Sequence, residues 1–297
     1  MSIFLSECNR DLKAYVPGEQ PKVKNLVKLN TNESPFPPAP GVAEAVKNAA
    51  DSLQLYNDLS AAKLTGLLAK TYGVETNQVF VGNGSDEVLA FAFQAFGGNG
   101  LKFADITYGC YKVWAGLYHL DAKIVPLKED FTIDPADYRG NDRCVVIANP
   151  NAPTGMALPL SSIAEIAANN PDQVVIVDEA YVDFGAESAV SLLPEYENIL
   201  VVQTFSKSRQ LAGARLGFAI GSEELIRDLN LIRFSFHPYN VNSLTQAAGA
   251  AALEQPDYFE ACRQTIMENR AWTKTELEKL GFRVLDEGHR PPQVPGR

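Results

Sequence analysis

Histidine is scarce in this chain and cysteine little less so. Three histidines (His119, His237, His289) and four cysteines (Cys8, Cys110, Cys144, Cys262) are scattered over 297 residues. No two cysteines stand as CxxC, so neither a zinc site nor a redox pair is spelled out, and no metal is expected. Nor do they form a disulfide framework, which suits a chain kept reduced in the cytoplasm. Every apolar run is too short to span a bilayer. The opening "MSIFLSECNRDLKAY" lacks a basic stretch followed by a long apolar core, so it does not read as a secretory signal. Cations are also in deficit, with 26 Lys and Arg against 36 Asp and Glu, a formal charge of −10. That sign argues against a nucleic-acid or anionic-membrane partner. Internal repeats and low-complexity linkers are missing too.

What is present is an alternation of short β-rich runs with helical periodicity. The runs are "QVFVG" (78–82), "LKFAD" (101–105), "AKIVPL" (122–127), "CVVIAN" (144–149), "VVIVDEA" (174–180), "NILVVQTF" (198–205) and "LGFAIG" (216–221). Most are continuously apolar, as strands buried on both faces must be. With helices between them, they predict an α/β fold built on a mainly parallel sheet. From about residue 222 the pattern turns helical, ending in a long helix that opens at Pro256. "GFRVL" (281–285) reads as one strand of a second, smaller domain. The Pro/Gly-rich "DEGHRPPQVPGR" (286–297) has no apolar periodicity and is expected to be disordered.

In an open α/β sheet, ligands bind beyond the carboxyl ends of the strands. Four such ends carry unusual residues. After "QVFVG" comes "NGSDE", where Ser85 and Asp86 open a helix whose free N–H groups and dipole favour an anion. An ordinary helix cap at Ser85 uses the same residues. After "VVIV" come Asp178 and, three residues on, Tyr181. A carboxylate at the end of a buried strand requires a cation or hydrogen-bond donors. After "CVVIAN" comes the turn-rich "PNAPTG" (150–155), and after "NILVVQTF" come Ser206 and Lys207, with Arg215 before the next strand. One ligand uses an anion cradle with an arginine, a buried carboxylate, a tyrosine hydroxyl and a lysine together. It is a phosphorylated pyridine aldehyde, bonded by the lysine and kept protonated at its ring nitrogen by the carboxylate.

The segments "VDEAY", "PNAPTG" and "SKSRQLAGARLGF" resemble those of the fold-type I pyridoxal-phosphate aminotransferases. Within that family, "LKAYVPGEQP", "VKLNTNESPFPP", "GNGSDE" and "DITYGCYKVWAG" are most similar to the histidinol-phosphate aminotransferases. The likeness runs in order from about residue 10 to about 285. It implies a seven-stranded, mainly parallel sheet flanked by helices, with an incomplete smaller α+β domain. Residues 1–40 would form an N-terminal segment near the substrate and the dimer partner, and 41–235 the large cofactor-binding domain. Residues 236–285 would supply interdomain helices and a truncated small domain. Position by position, Lys207 is the Schiff-base lysine, Asp178 the partner of the ring nitrogen, and Tyr181 the partner of the ring's phenolic oxygen. Tyr108 stacks on the ring. The backbone of Ser85 and Asp86, the Ser206 hydroxyl and Arg215 would hold the phosphate of pyridoxal 5'-phosphate, joined by Tyr56 from the neighbouring subunit of a homodimer. Tyr15 and Asn32 lie near the substrate.

The resemblance further implies transamination of L-histidinol phosphate with 2-oxoglutarate, in the cytoplasm, for histidine biosynthesis. Two departures stand out. The family's turn places asparagine directly before Pro-Thr-Gly, where this chain has Ala152; Asn151 is the candidate to donate to the ring oxygen instead. The family also continues beyond "GFRVL" and carries a substrate-clamping arginine there, whereas "GHRPPQVPGR", with Arg290 and Arg297, does not match. The chain therefore reads as shortened at that end. The alternatives are another enzyme of the same fold, an aromatic aminotransferase or a phospho-amino-acid decarboxylase, and a truncated cofactor-binding paralogue with little turnover.

Overall fold

The computed structural model describes residues 2–19, 23, 27–140 and 142–285. Each of the seven apolar runs forms a strand. They are β1 (Val79–Gly82), β2 (Leu101–Ala104), β3 (Ala122–Val125), β4 (Cys144–Ala148), β5 (Val175–Asp178), β6 (Ile199–Thr204) and β7 (Gly217–Ile220). They make one sheet in the order β1-β7-β6-β5-β4-β2-β3. All neighbours run parallel except β7, which is antiparallel to both β1 and β6.

Every strand residue is buried outside β3, an edge strand where Lys123 and Ile124 meet solvent. The continuity of the runs has a direct cause, because successive side chains point to opposite faces and both faces are covered. Val175 and Val177 enter one core with Val145 and Ile147, while Ile176 and Val146 enter the other. The first core is roofed by α2 (Ala62–Tyr72), α5 (Leu160–Ala168) and α7 (Ser243–Leu253). The second is roofed by α3 (Ser85–Phe96), α4 (Cys110–Leu117) and α6 (Glu223–Phe236). A short α1 (Val42–Ala50) packs on α7, and α8 (Pro256–Lys279) is exposed along most of its length, with Cys262 its one buried residue.

Helix starts follow local chemistry. Asn242 caps α7 by accepting from Thr245 N at 3.0 Å, and Pro256 opens α8. The cap of α3 departs from the sequence expectation. It is Gly84, with φ +85°, and Ser85 is the first helical residue. No side chain therefore caps α3.

The stretch 281–285, expected as a strand, is irregular: Gly281 turns into the left-handed region (φ +88°) and no described strand pairs with the residues after it. A lone strand has no ladder to satisfy its backbone. The tail expected to be disordered lies outside the described residues. Among the described residues, no helix is long and apolar enough to cross a membrane.

Candidate active site

The parallel strands deliver their carboxyl ends to one edge of the sheet, and most of the residues singled out in the sequence meet there. Two glycines make the approach possible. A Cβ on Gly217 would stand 2.2 Å from Ser85 N, and one on Gly84 would stand 2.6 Å from Arg215 Nη2. The start of β7 thus lies directly against the first turn of α3, and Arg215 is laid over Gly84. Arg215 itself takes a left-handed backbone (φ +52°), an uncommon conformation for a residue with a Cβ. Its Nη2 donates to Asp86 Oδ2 at 3.0 Å, and Nη1 donates to Ser206 Oγ at 3.5 Å. The hydroxyl of Tyr108 donates to the other oxygen of Asp86 at 3.0 Å. Burial and the Asp86 charge push the Tyr108 phenol far above its ordinary range.

A cavity of about 370 Å³ opens between these groups and the ends of β5 and β6. Ser85, Asp86, Tyr108, Asp178, Tyr181, Ser206, Lys207 and Arg215 all line it. Asp178 is buried, and burial pushes its carboxyl up to about 6 against the opposing effect of two donors. Those donors are the Tyr111 hydroxyl on Oδ2 at 2.6 Å and Ala180 N on Oδ1 at 3.2 Å. Lys207 Nζ donates to the carbonyl of Thr31 at 2.7 Å and lies 5.6 Å from the centre of the Tyr181 ring. Thr31 and Asn32 are both left-handed (φ +60° and +53°), and for β-branched Thr31 that is an outlier. The turn brings Asn32 Nδ2 to donate to the Tyr181 hydroxyl at 3.0 Å.

Lys207 and Tyr181 also border a second cavity of about 560 Å³, shared with Asn32, Asn151, Phe184 and Arg270 of α8. Asn151 lines it but has no hydrogen left for a ligand. Its Nδ2 donates to Ile106 O at 2.9 Å and to Thr154 Oγ1 at 3.2 Å, and its Oδ1 accepts from Thr107 Oγ1 at 2.8 Å. Asn151 is the residue expected to donate to a ring oxygen, and in this structure its amide holds the 150–155 turn together. Two other expected residues stand apart. Tyr15 is half-exposed and borders neither cavity. Tyr56 is 82% exposed and stacks on Tyr239 with ring centres 4.4 Å apart, outside both cavities.

Sequence reasoning missed Tyr111 and Thr31, and it noted Thr204 only as a neighbour of Lys207. Tyr111 follows Tyr108 by three residues, a helical spacing that offered a signal. Thr204 Oγ1 accepts from Ser206 N at 3.1 Å and fixes the turn into Lys207.

The chain matches the family described as aminotransferase class I and II over residues 24–289. It is 52% identical over 290 residues to a histidinol-phosphate aminotransferase of Marinomonas sp., a match covering 96% of this chain and 82% of the relative. It is 50% identical, with the same coverage, to the histidinol-phosphate aminotransferase of Brachyspira hyodysenteriae. Among solved structures it resembles the histidinol-phosphate aminotransferase of Sinorhizobium meliloti in complex with pyridoxal-5'-phosphate. There the TM-score is 0.77 at 25% identity, over 84% of this chain and 70% of the other.

Proposed function

The chain belongs to the class I and II aminotransferases, and on that premise we propose that it exchanges the amine of L-histidinol phosphate with 2-oxoglutarate, using pyridoxal 5'-phosphate. The products are imidazole acetol phosphate and L-glutamate, and the step belongs to histidine biosynthesis. The observation that carries the reading is the convergence of Lys207, Asp178 and Arg215, from three separate strand ends, on one cavity. The relatives named for this reaction, at about half identity over nearly the whole chain, support the choice of substrate.

The residues present fit the cofactor. The cradle between Gly84, Ser85 and Arg215 exists only because Cβ atoms are missing at positions 84 and 217, and it offers the first turn of an uncapped helix and a guanidinium to a phosphate. The buried Asp178, held up to about 6 without a cation, suits a protonated ring nitrogen. When bound, pyridoxal phosphate supplies an aldehyde that bonds amines and a protonated ring that withdraws electrons. Lys207 Nζ is the amine that holds the aldehyde, and afterwards the base that moves a proton at the substrate Cα. Tyr181, steadied by Asn32, would donate to the ring oxygen of the bound cofactor, and Tyr108 would pack against its ring. Asn32 and the second cavity receive the substrate.

Within this reading the protein is a cytoplasmic homodimer with residues 41–235 as its cofactor domain, and Tyr56 serves the partner's phosphate. The exposed pair of Tyr56 and Tyr239 supports that assignment, since aromatic surface of this kind is characteristic of interfaces.

The test is a visible spectrum of the protein with pyridoxal phosphate, before and after L-histidinol phosphate is added, with Lys207→Ala as control. A lysine-dependent visible band that is lost on addition of the amine supports the function. A band that ignores the amine defeats the substrate assignment, and no band at all defeats the cofactor assignment.

A further inference from the structure

Asp178 and Glu179 leave the end of β5 on opposite sides of the sheet. Asp178 meets Tyr111, which belongs to the core under α3 and α4. Glu179 is buried on the other side and lines neither cavity. Three donors converge on its carboxylate: Ser188 Oγ at 2.7 Å, Ala189 N at 2.6 Å and Gln203 Nε2 at 2.8 Å. Gln203 in turn accepts from the Tyr72 hydroxyl at 2.6 Å, so the chain of bonds runs Tyr72, Gln203, Glu179. Tyr72 packs against the core under α2 and α7.

The placement of this chain matters. The β5–β6 register ends with Asp178 opposite Val202, and Glu179 N still donates to Val202 O at 2.7 Å. The Glu179–Gln203 bond is therefore a side-chain tie across the two strands just where the backbone ladder stops. Beyond it the strands part. One goes on to Tyr181, the other to Ser206 and Lys207. We propose that Glu179 and Gln203 form a positioning clamp that fixes the spacing of the strand end bearing Asp178 and Tyr181 against the one bearing Ser206 and Lys207. What these ends hold rests on the function proposed above.

The position calls for an acceptor-only group, which a carboxylate is and an amide is not. Glu179→Gln keeps the shape but turns an NH₂ toward a donor, so it breaks the tie with little change in volume. Tyr72→Phe removes only the outer hydroxyl and leaves the core packing in place.

The experiment is amide hydrogen exchange on wild type, Glu179→Gln and Tyr72→Phe without cofactor, together with pyridoxal phosphate affinity for each. In Glu179→Gln, segments 179–189 and 203–208 should lose protection together, by roughly tenfold, as one cooperative unit. Cofactor affinity should fall by about 10- to 100-fold, by analogy with the loss of groups that orient metal ligands. Tyr72→Phe should move both readouts the same way by less, and it decides the matter if Glu179→Gln does not fold. The affinity loss should also shrink in a Tyr181→Phe background, because coupled groups are not additive.

Exchange rising in only one segment overturns the clamp. Exchange rising in both with affinity unchanged, or losses that simply add, overturns its positioning role. A wild type that binds no cofactor, with the exchange result as expected, overturns the proposed function and the positioning role with it. It leaves the strand tie standing.

Discussion

The hydroxyl of Tyr111 donates to Asp178 Oδ2 across 2.6 Å, and both groups are buried. Burial nevertheless outweighs this bond and leaves the carboxyl at about 6 instead of 3.8. A folded-state value above the unfolded one means that Asp178 contributes its stability in full below about pH 4 and loses it as pH rises through about 6. The difference amounts to about 3 kcal/mol for a shift of this size. Without cofactor, wild type should therefore lose stability relative to Asp178→Asn between about pH 4 and pH 7, measured as urea midpoints. Parallel profiles would refute this. With pyridoxal phosphate bound, the cationic ring nitrogen should remove or reverse the trend.

Replacing Arg215 by methionine should weaken pyridoxal phosphate but leave pyridoxal, which has no phosphate, nearly untouched. A charge-assisted hydrogen bond contributes about 1.5–3 kcal/mol, so the ratio of the two dissociation constants should fall by roughly 10- to 150-fold. Equal weakening of both ligands would place Arg215 elsewhere in the site. Equilibrium dialysis measures the ratio.

Gly217→Ala puts a methyl group 2.2 Å from a backbone nitrogen, where nothing flexible yields. The expected outcome is a loss of roughly 1–3 kcal/mol from overpacking, read from the urea midpoint, with phosphate affinity falling because the start of α3 is pushed from Arg215. A stability loss with unchanged phosphate affinity would mean that the cradle does not depend on this contact.

Mixing Lys207→Ala with Tyr56→Ala subunits tests whether sites are shared. Each parent should bind cofactor poorly or not at all. In a mixed dimer, one site keeps Lys207 from one subunit and Tyr56 from the other. Tight binding should reappear at half the sites of the mixed species, by absorbance titration. No recovery would confine Tyr56 to its own protomer or exclude it from the site.

Much of this architecture was legible because its cause is local. Strands covered on both faces must be largely apolar, and all seven strands were readable as short β-rich runs, most of them continuously apolar. Lys207 and Arg215 stood out because charge among small residues after a buried strand has no packing reason. Tyr111 did not stand out, since a tyrosine on an apolar helix face reads as core until Asp178 is seen beside it. Glu179 was hidden by its neighbour, because a run of acidic residues does not reveal that alternate side chains leave a sheet on opposite sides. The partners of Asn151 were hidden for the converse reason: Thr107 and Ile106 come from a distant loop. The stretch 281–285 has a strand's composition, but a strand needs a partner that composition cannot supply.

The sheet order also fixes when the site can come into being. β1 has β7 as its single neighbour, and Asp86 and Arg215 are 129 residues apart in the chain. During synthesis from the N-terminus, β1 and α3 emerge early and remain without their neighbour while five other elements of the sheet are made. Contacts this distant form late and slowly, because a long loop must close before they stabilise anything. The contact between Arg215 and the first turn of α3 is thus among the last parts of the domain to assemble. A nascent chain halted before residue 215 leaves the first turn of α3 without its guanidinium, however well its first strands have folded.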